Sequence, residues 1–159
     1  EYCFDVGTSE DTEWSGEETV ATMDLVDDID EDLRDNIEAT RVADIMITAT
    51  GPYPSSADAQ VSGSAEYSLD GGPWAQLVEF HEIRYSELGT GVSVLHPDTT
   101  RVTFDGAGVD ALVLALASST GLPDLTLTVR ASGATTPVTE DSVSVCFSVV
   151  LQTDAEFEP

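Results

Sequence analysis

The chain contains no lysine, and its only fixed cations are five arginines set against 31 acidic residues. A net charge of −26 at neutral pH makes nucleic acid a poor partner, because neutralising phosphates takes clustered cations. An anionic membrane surface is an equally poor one. No apolar run approaches the ~18 residues of a membrane span, so membrane insertion is not expected. The single asparagine, Asn36, is followed by Ile-Glu, which leaves no N-glycosylation sequon. No serine lies in a Gly-x-Ser-x-Gly elbow, and no glycine-rich phosphate loop occurs. The lack of an initiator methionine and of a leader-like segment reads as a mature, processed chain or an excised domain.

What is present suits one domain spanning residues 1–159, with 41% hydrophobic residues to build its core. The acidity has two physical readings. A carboxylate-rich surface stays hydrated in high salt, where its self-repulsion is screened. The same carboxylates could instead be loaded with divalent cations, calcium above all. Two cysteines, one near each end, favour an oxidising compartment.

The stretch Asp141–Glu156 organises the rest. Val143, Val145, Phe147, Val149 and Leu151 fall two apart, with Ser142, Ser144, Cys146, Ser148 and Gln152 between them. That is a strand half-buried against a core. Tyr2, Phe4 and Val6 alternate with Cys3 and Asp5 in the same way, so the two ends are expected to pair in one sheet. Between them, Gly7–Gly16 reads as an acidic loop carrying Trp14, and Glu18–Val26 as a strand. Asp27–Glu38 reads as a helix with Ile29, Leu33 and Ile37 on one face. Thr40–Thr50 is a strong strand whose phase slips between Val42 and Ile45, the mark of a bulge. Ala57–Leu69 and Trp74–Ile83 flank a hairpin turn at Asp70-Gly-Gly-Pro. Arg101–Phe104 is a short strand, Gly108–Ser118 a buried helix with a fully buried strand as the rival reading, Leu125–Ala131 a strand, and Ser132–Thr139 the turn into the last strand. The total is seven or eight strands with one or two short helices: an all-β fold, an antiparallel β-sandwich of jelly-roll or immunoglobulin-like type.

Candidate chemistry is sparse. Asp28, Asp30 and Asp32 match the first three ligand positions of a calcium loop. Leu33 stands where the loop glycine belongs and the closing glutamate is missing, so an EF-hand is excluded. A looser calcium site or a solvated helix start remain as readings. His81-Glu82-Ile83-Arg84-Tyr85 is a zinc-protease motif with Tyr85 in place of the second histidine, and only His96 remains as a further imidazole. Trp14, Trp74, Tyr53 and Tyr85 could line a carbohydrate face or pack in the core. No catalytic constellation emerges, and no cofactor other than calcium is suggested.

The strand Leu125-Thr-Leu-Thr-Val-Arg-Ala-Ser-Gly133, the Pro137-Val138 turn and the valine-rich closing strand resemble small secreted β-sandwich domains of bacterial surface proteins and lipoproteins. The resemblance implies an exported, surface-associated role. The expectation is a non-enzymatic extracellular structural protein, a self-associating subunit of a cell-surface assembly or fibre. Its terminal strands, carrying Tyr2, Phe4, Val6, Val145, Phe147 and Val149 and read as the edges of their sheet, would pair with neighbouring subunits. The rival expectation is a cation-dependent polysaccharide-binding module. Cys3 and Cys146 face the same side of the sheet if their strands are neighbours, close enough for a bond. A bond within the chain, a bond between strand-exchanged subunits and two free thiols all remain open.

Overall fold

The computed structural model describes residues 2–6, 13–21, 37–50, 59–96, 100–117, 124–136 and 143–155. Nine strands and two helices occur among them: β1 (Tyr2–Val6), β2 (Glu13–Ala21), β3 (Ile37–Thr50), β4 (Gln60–Leu69), β5 (Ala75–Arg84), α1 (Tyr85–Leu88), β6 (Val92–Ser93), β7 (Val102–Thr103), α2 (Gly106–Leu116), β8 (Thr126–Thr136) and β9 (Val143–Ala155). They form two sheets, ordered β1-β9-β3-β6 and β2-β8-β4-β5-β7. All ladders are antiparallel, and they nest: β1 pairs with β9, β2 with β8, β3 with β6 and β4 with β5. A chain folded as one long hairpin and then wrapped around itself pairs this way, so the sandwich is a jelly roll rather than an immunoglobulin-like fold. The two-residue β7 extends the β5 edge.

Local chemistry accounts for the main features. Asp70 and Gly71 both have positive φ, 48° and 69°, and the Gly72 N–H donates to the Leu69 carbonyl at 2.8 Å. This is a twist-matched left-handed turn, and it opens the five-residue link 70–74 from β4 to β5. The Asp70 carboxylate also accepts from the Thr126 N–H at 2.8 Å, which ties the turn to β8. The β3–β9 register shifts between Val42 and Asp44, where the sequence changes phase. A second shift, between Val61 and Gly63, leaves an extra residue on β5. Glu82 takes a φ of 52° there, and its N–H donates to the Ser62 hydroxyl at 2.8 Å.

Ile45, Ile47, Val145 and Phe147 from one sheet meet Val61, Ala65, Tyr67, Phe80, Leu127 and Val129 from the other in the core. Trp14 belongs to this core and not to a loop: β2 begins at Glu13, five residues earlier than the alternation at Glu18 predicts. Trp14 pairs with Gly133, which pairs with Gly63. A Cβ at Gly63 would stand 3.0 Å from the indole and 2.6 Å from the Ser132 carbonyl, and one at Gly133 would stand 2.7 Å from the indole and collide with the Ser62 carbonyl. The two glycines are the slot in which the indole lies. For the same reason β8 continues through Ser132–Thr136, where a turn was expected.

The helix expected over Asp27–Glu38 falls on residues outside those described, apart from Ile37 and Glu38, which open β3. The helix expected at Gly108–Ser118 is α2. It starts two residues earlier, where the Asp105 side chain accepts from the Ala107 N–H at 3.3 Å.

Candidate functional site

Three features have chemistry to offer. The first is the junction of the chain's ends. Cys3 lies directly opposite Cys146, and the two are joined within the chain by a disulfide. Phe4 packs edge-on to Phe147 at 6.0 Å and covers Gly16 of β2, so β1 is held to both sheets. Two expectations change. β1 does end its sheet, but β9 lies inside it, between β1 and β3, because its other edge is taken up by β3 along nearly its full length. The side chains of Phe4, Val145 and Phe147 are buried in the domain's own core, and Val149 packs partly buried against it. What β1 can offer a neighbour is its backbone edge, shared by Tyr2, Phe4 and Val6.

The second feature is a trough of about 610 Å³ on the outer face of the five-stranded sheet. Cross-strand register places Ser15, Ser132, Ser64 and Glu79 in one row. Ser62 and Ala134 extend this floor, Glu13 closes one side, and Glu79 with His81 closes the other, their side chains 3.3 Å apart. The bulge at Glu82 sits beside His81, and the Arg101 guanidinium donates to the Glu82 carbonyl at 2.8 Å. A neighbouring hollow of about 390 Å³ holds Arg130 against Glu66 at 2.8 Å. The same guanidinium covers the Trp74 ring at 4.1 Å. Hydroxyls, carboxylates and an imidazole on a shallow floor can hydrogen-bond a polyhydroxylated ligand.

The third feature is the outer side of α2. Gly108, Val109, Leu112 and Leu116 face the sandwich, and the Tyr67 hydroxyl donates to the Gly108 carbonyl at 2.6 Å. The helix was expected to be buried; one side is, but Leu114 is 77% exposed, and Ala107, Ala111 and Asp110 are exposed with it. Phe104, 40% exposed, stands just before its N-terminus.

Asp28, Asp30 and Asp32 lie outside the described residues. Among the described residues no three His, Cys, Asp or Glu side chains gather as a metal set. His81 through Arg84 form a strand, not the helix that a zinc-protease motif needs to put its ligands on one face. His96 is exposed beside β6. Of the four aromatics, Trp14 and Tyr85 are core residues, Trp74 is half-buried under Arg130, and Tyr53 lies outside the described residues.

Comparison with known proteins adds little. No family model matches the chain, and no curated protein matches it. A solved structure of Desmodium yellow mottle tymovirus aligns with 99% of this chain and 88% of that one at 10% identity, with a TM-score of 0.33. A likeness that distant carries no argument about fold or function. Among the described residues no helix is long and apolar enough to cross a membrane.

Tyr85 gives a prediction about stability. Its hydroxyl is buried without a hydrogen-bond partner among the described residues, and burial pushes its pKa up to about 12. Tyr85→Phe removes an unsatisfied buried group and is expected to leave stability unchanged or raise it by ~1 kcal/mol at neutral pH. The folded-state pKa lies above the ordinary value, so the native state holds the proton longer than the unfolded chain. Stability is then lost as pH rises from about 10 through 12. Urea midpoints of both proteins across that window should diverge, with the variant losing less; parallel curves would refute the assignment.

Proposed function

We propose that the protein is a non-enzymatic structural subunit of an extracellular or cell-surface assembly. The observation that supports this best is the outer side of α2. In a chain with 31 acidic residues, a helix presenting Ala107, Ala111 and a 77% exposed Leu114 is a surface suited to contact with protein. The β1 edge supports it too: a strand that ends its sheet can accept a neighbour's strand through backbone hydrogen bonds. The disulfide keeps β1 in its own domain, so this route is addition to the edge rather than exchange of strands.

The second reading, a cation-dependent polysaccharide-binding module, is favoured by the hydroxyl-floored trough over Ser15, Ser62, Ser64 and Ser132. Light scattering on untreated protein in molar salt separates the two. The subunit reading expects particles larger than one chain. Monodisperse monomers that bind glycan in a calcium-dependent way would establish the alternative.

The charge makes its own prediction. At a net charge of −26 carboxylates repel strongly where the Debye length is ~30 Å, near 0.01 M salt. The melting temperature is expected to climb from low to molar salt. A flat profile, with or without a chelator, would refute screening. Full rescue by micromolar calcium alone would replace screening with a specific site.

A further inference from the structure

We propose that the trough on the outer face of the five-stranded sheet binds a neutral polysaccharide directly, through side chains and without a bridging cation. The inference rests on the second reading above and names its ligand. The two hollows on this face share Ser15, Ser64 and Ser132, so they are halves of one trough, lying on either side of the serine row. The row crosses β2, β8, β4 and β5, three strand spacings or about 14 Å. On one side of it the floor runs to Ser62 and His81, on the other to Glu66 and Arg130. The Ser62 hydroxyl accepts from the Glu82 N–H at 2.8 Å, which uses a lone pair and not its proton. Glu82 holds a φ of 52°, a conformation that residues with side chains seldom adopt, and the Arg101 guanidinium donates to its carbonyl at 2.8 Å. The bulge beside His81 is thus pinned from both sides.

The lining selects the ligand. An anionic polymer is repelled by a molecule at −26. A basic ligand meets the Arg130 guanidinium, which pairs with Glu66 at 2.8 Å and covers the Trp74 ring at 4.1 Å. An apolar ligand finds serine hydroxyls and charged walls where it needs apolar surface. A neutral polyol suits every group present. The serines both donate and accept, Glu13 and Glu79 accept hydroxyl protons, and Arg130 donates. Each of these contacts is direct, so no metal has to stand between protein and sugar. A shallow trough takes an extended chain laid across it. Single contacts there are partly solvated, so one sugar binds weakly and successive sugars along the row add to one another.

Binding of the disulfide-intact chain to arrayed neutral gluco-, manno- and galacto-oligosaccharides, beside a polyuronate, tests this with calcium and with chelator. Two variants are compared, each first shown to fold in the same buffer by its melting transition. The wild type should bind at least one neutral series equally in both conditions and leave the polyuronate alone. Ser132→Tyr, which stands a ring on the floor, should weaken binding at least ~10-fold. His81→Ala, which removes one wall contact, should weaken it about fivefold. Undiminished binding by both folded variants would overturn the trough as the site. Binding of glycan only when calcium is present would overturn direct recognition and leave the cation-dependent reading standing. Binding to no neutral series in either condition would overturn the ligand; if the polyuronate with calcium also fails to bind, the binding-module reading falls with it.

Discussion

Reduction of the Cys3–Cys146 bond is expected to lower the melting temperature by about 10–20 °C. The bond spans 143 residues of sequence, so it constrains nearly the whole unfolded chain. In the chain-entropy account a loop of that length is worth about 5 kcal/mol. The folded state gives up little in return when the bond opens. The β1–β9 ladder still pairs from Tyr2 to Val6, and Phe4 still sits against Phe147. Most of the loss therefore arises from the freed unfolded state. Calorimetry with and without reductant, and on Cys3→Ser/Cys146→Ser, should agree. A shift below about 2 °C would mean that the unfolded chain is already compact enough for closure to cost nothing.

Trp14→Ala is expected to destabilise by about 3–5 kcal/mol, because the buried indole fills the slot over Gly63 and Gly133. Gly133→Ala should cost about 2–3 kcal/mol, since its Cβ meets the Ser62 carbonyl and lies 2.7 Å from the indole. The two effects share one space, so they should not add. With the indole gone, one of the three close contacts at Gly133 disappears, and the double variant should fall short of the sum by at least ~1 kcal/mol. Denaturant midpoints of the three variants give the cycle. Additive losses would show that the ring and the glycine do not compete, and that the backbone clash alone sets the cost.

Much of this sandwich could be read from side-chain period. The alternation of Val143–Leu151 and of Tyr2–Val6 located the two terminal strands. Cys3 and Cys146 fell opposite one another because each sits at a matching phase of its strand. The slip between Val42 and Ile45 became a bulge. Asp70-Gly became a left-handed turn for the steric reason its residues suggest. Other features escaped because their causes are distant in sequence. β2 carries little apolar alternation, since most of its residues are exposed, so Trp14 looked like part of a loop. Gly133 punctuates a turn when read locally; its role is to make room for a residue 119 positions earlier on the paired strand. The inside position of β9 depends on β3 pairing along it, which its own pattern does not encode. The serine row of the trough exists only through cross-strand register. The outer side of α2 left a signal that was legible but read the wrong way. A run with one acid among 11 residues, in so acidic a chain, suits a helix facing another molecule as well as one buried in its own.

Direct imaging of untreated protein in molar salt, without chelator or reductant, tests the subunit reading most directly. The account predicts repeated multi-chain objects, fibres or sheets, in which neighbouring domains meet through the outer side of α2 or the free edge of β1. Isolated single domains at every salt concentration, retained on immobilised polysaccharide only when calcium is present, would contradict it.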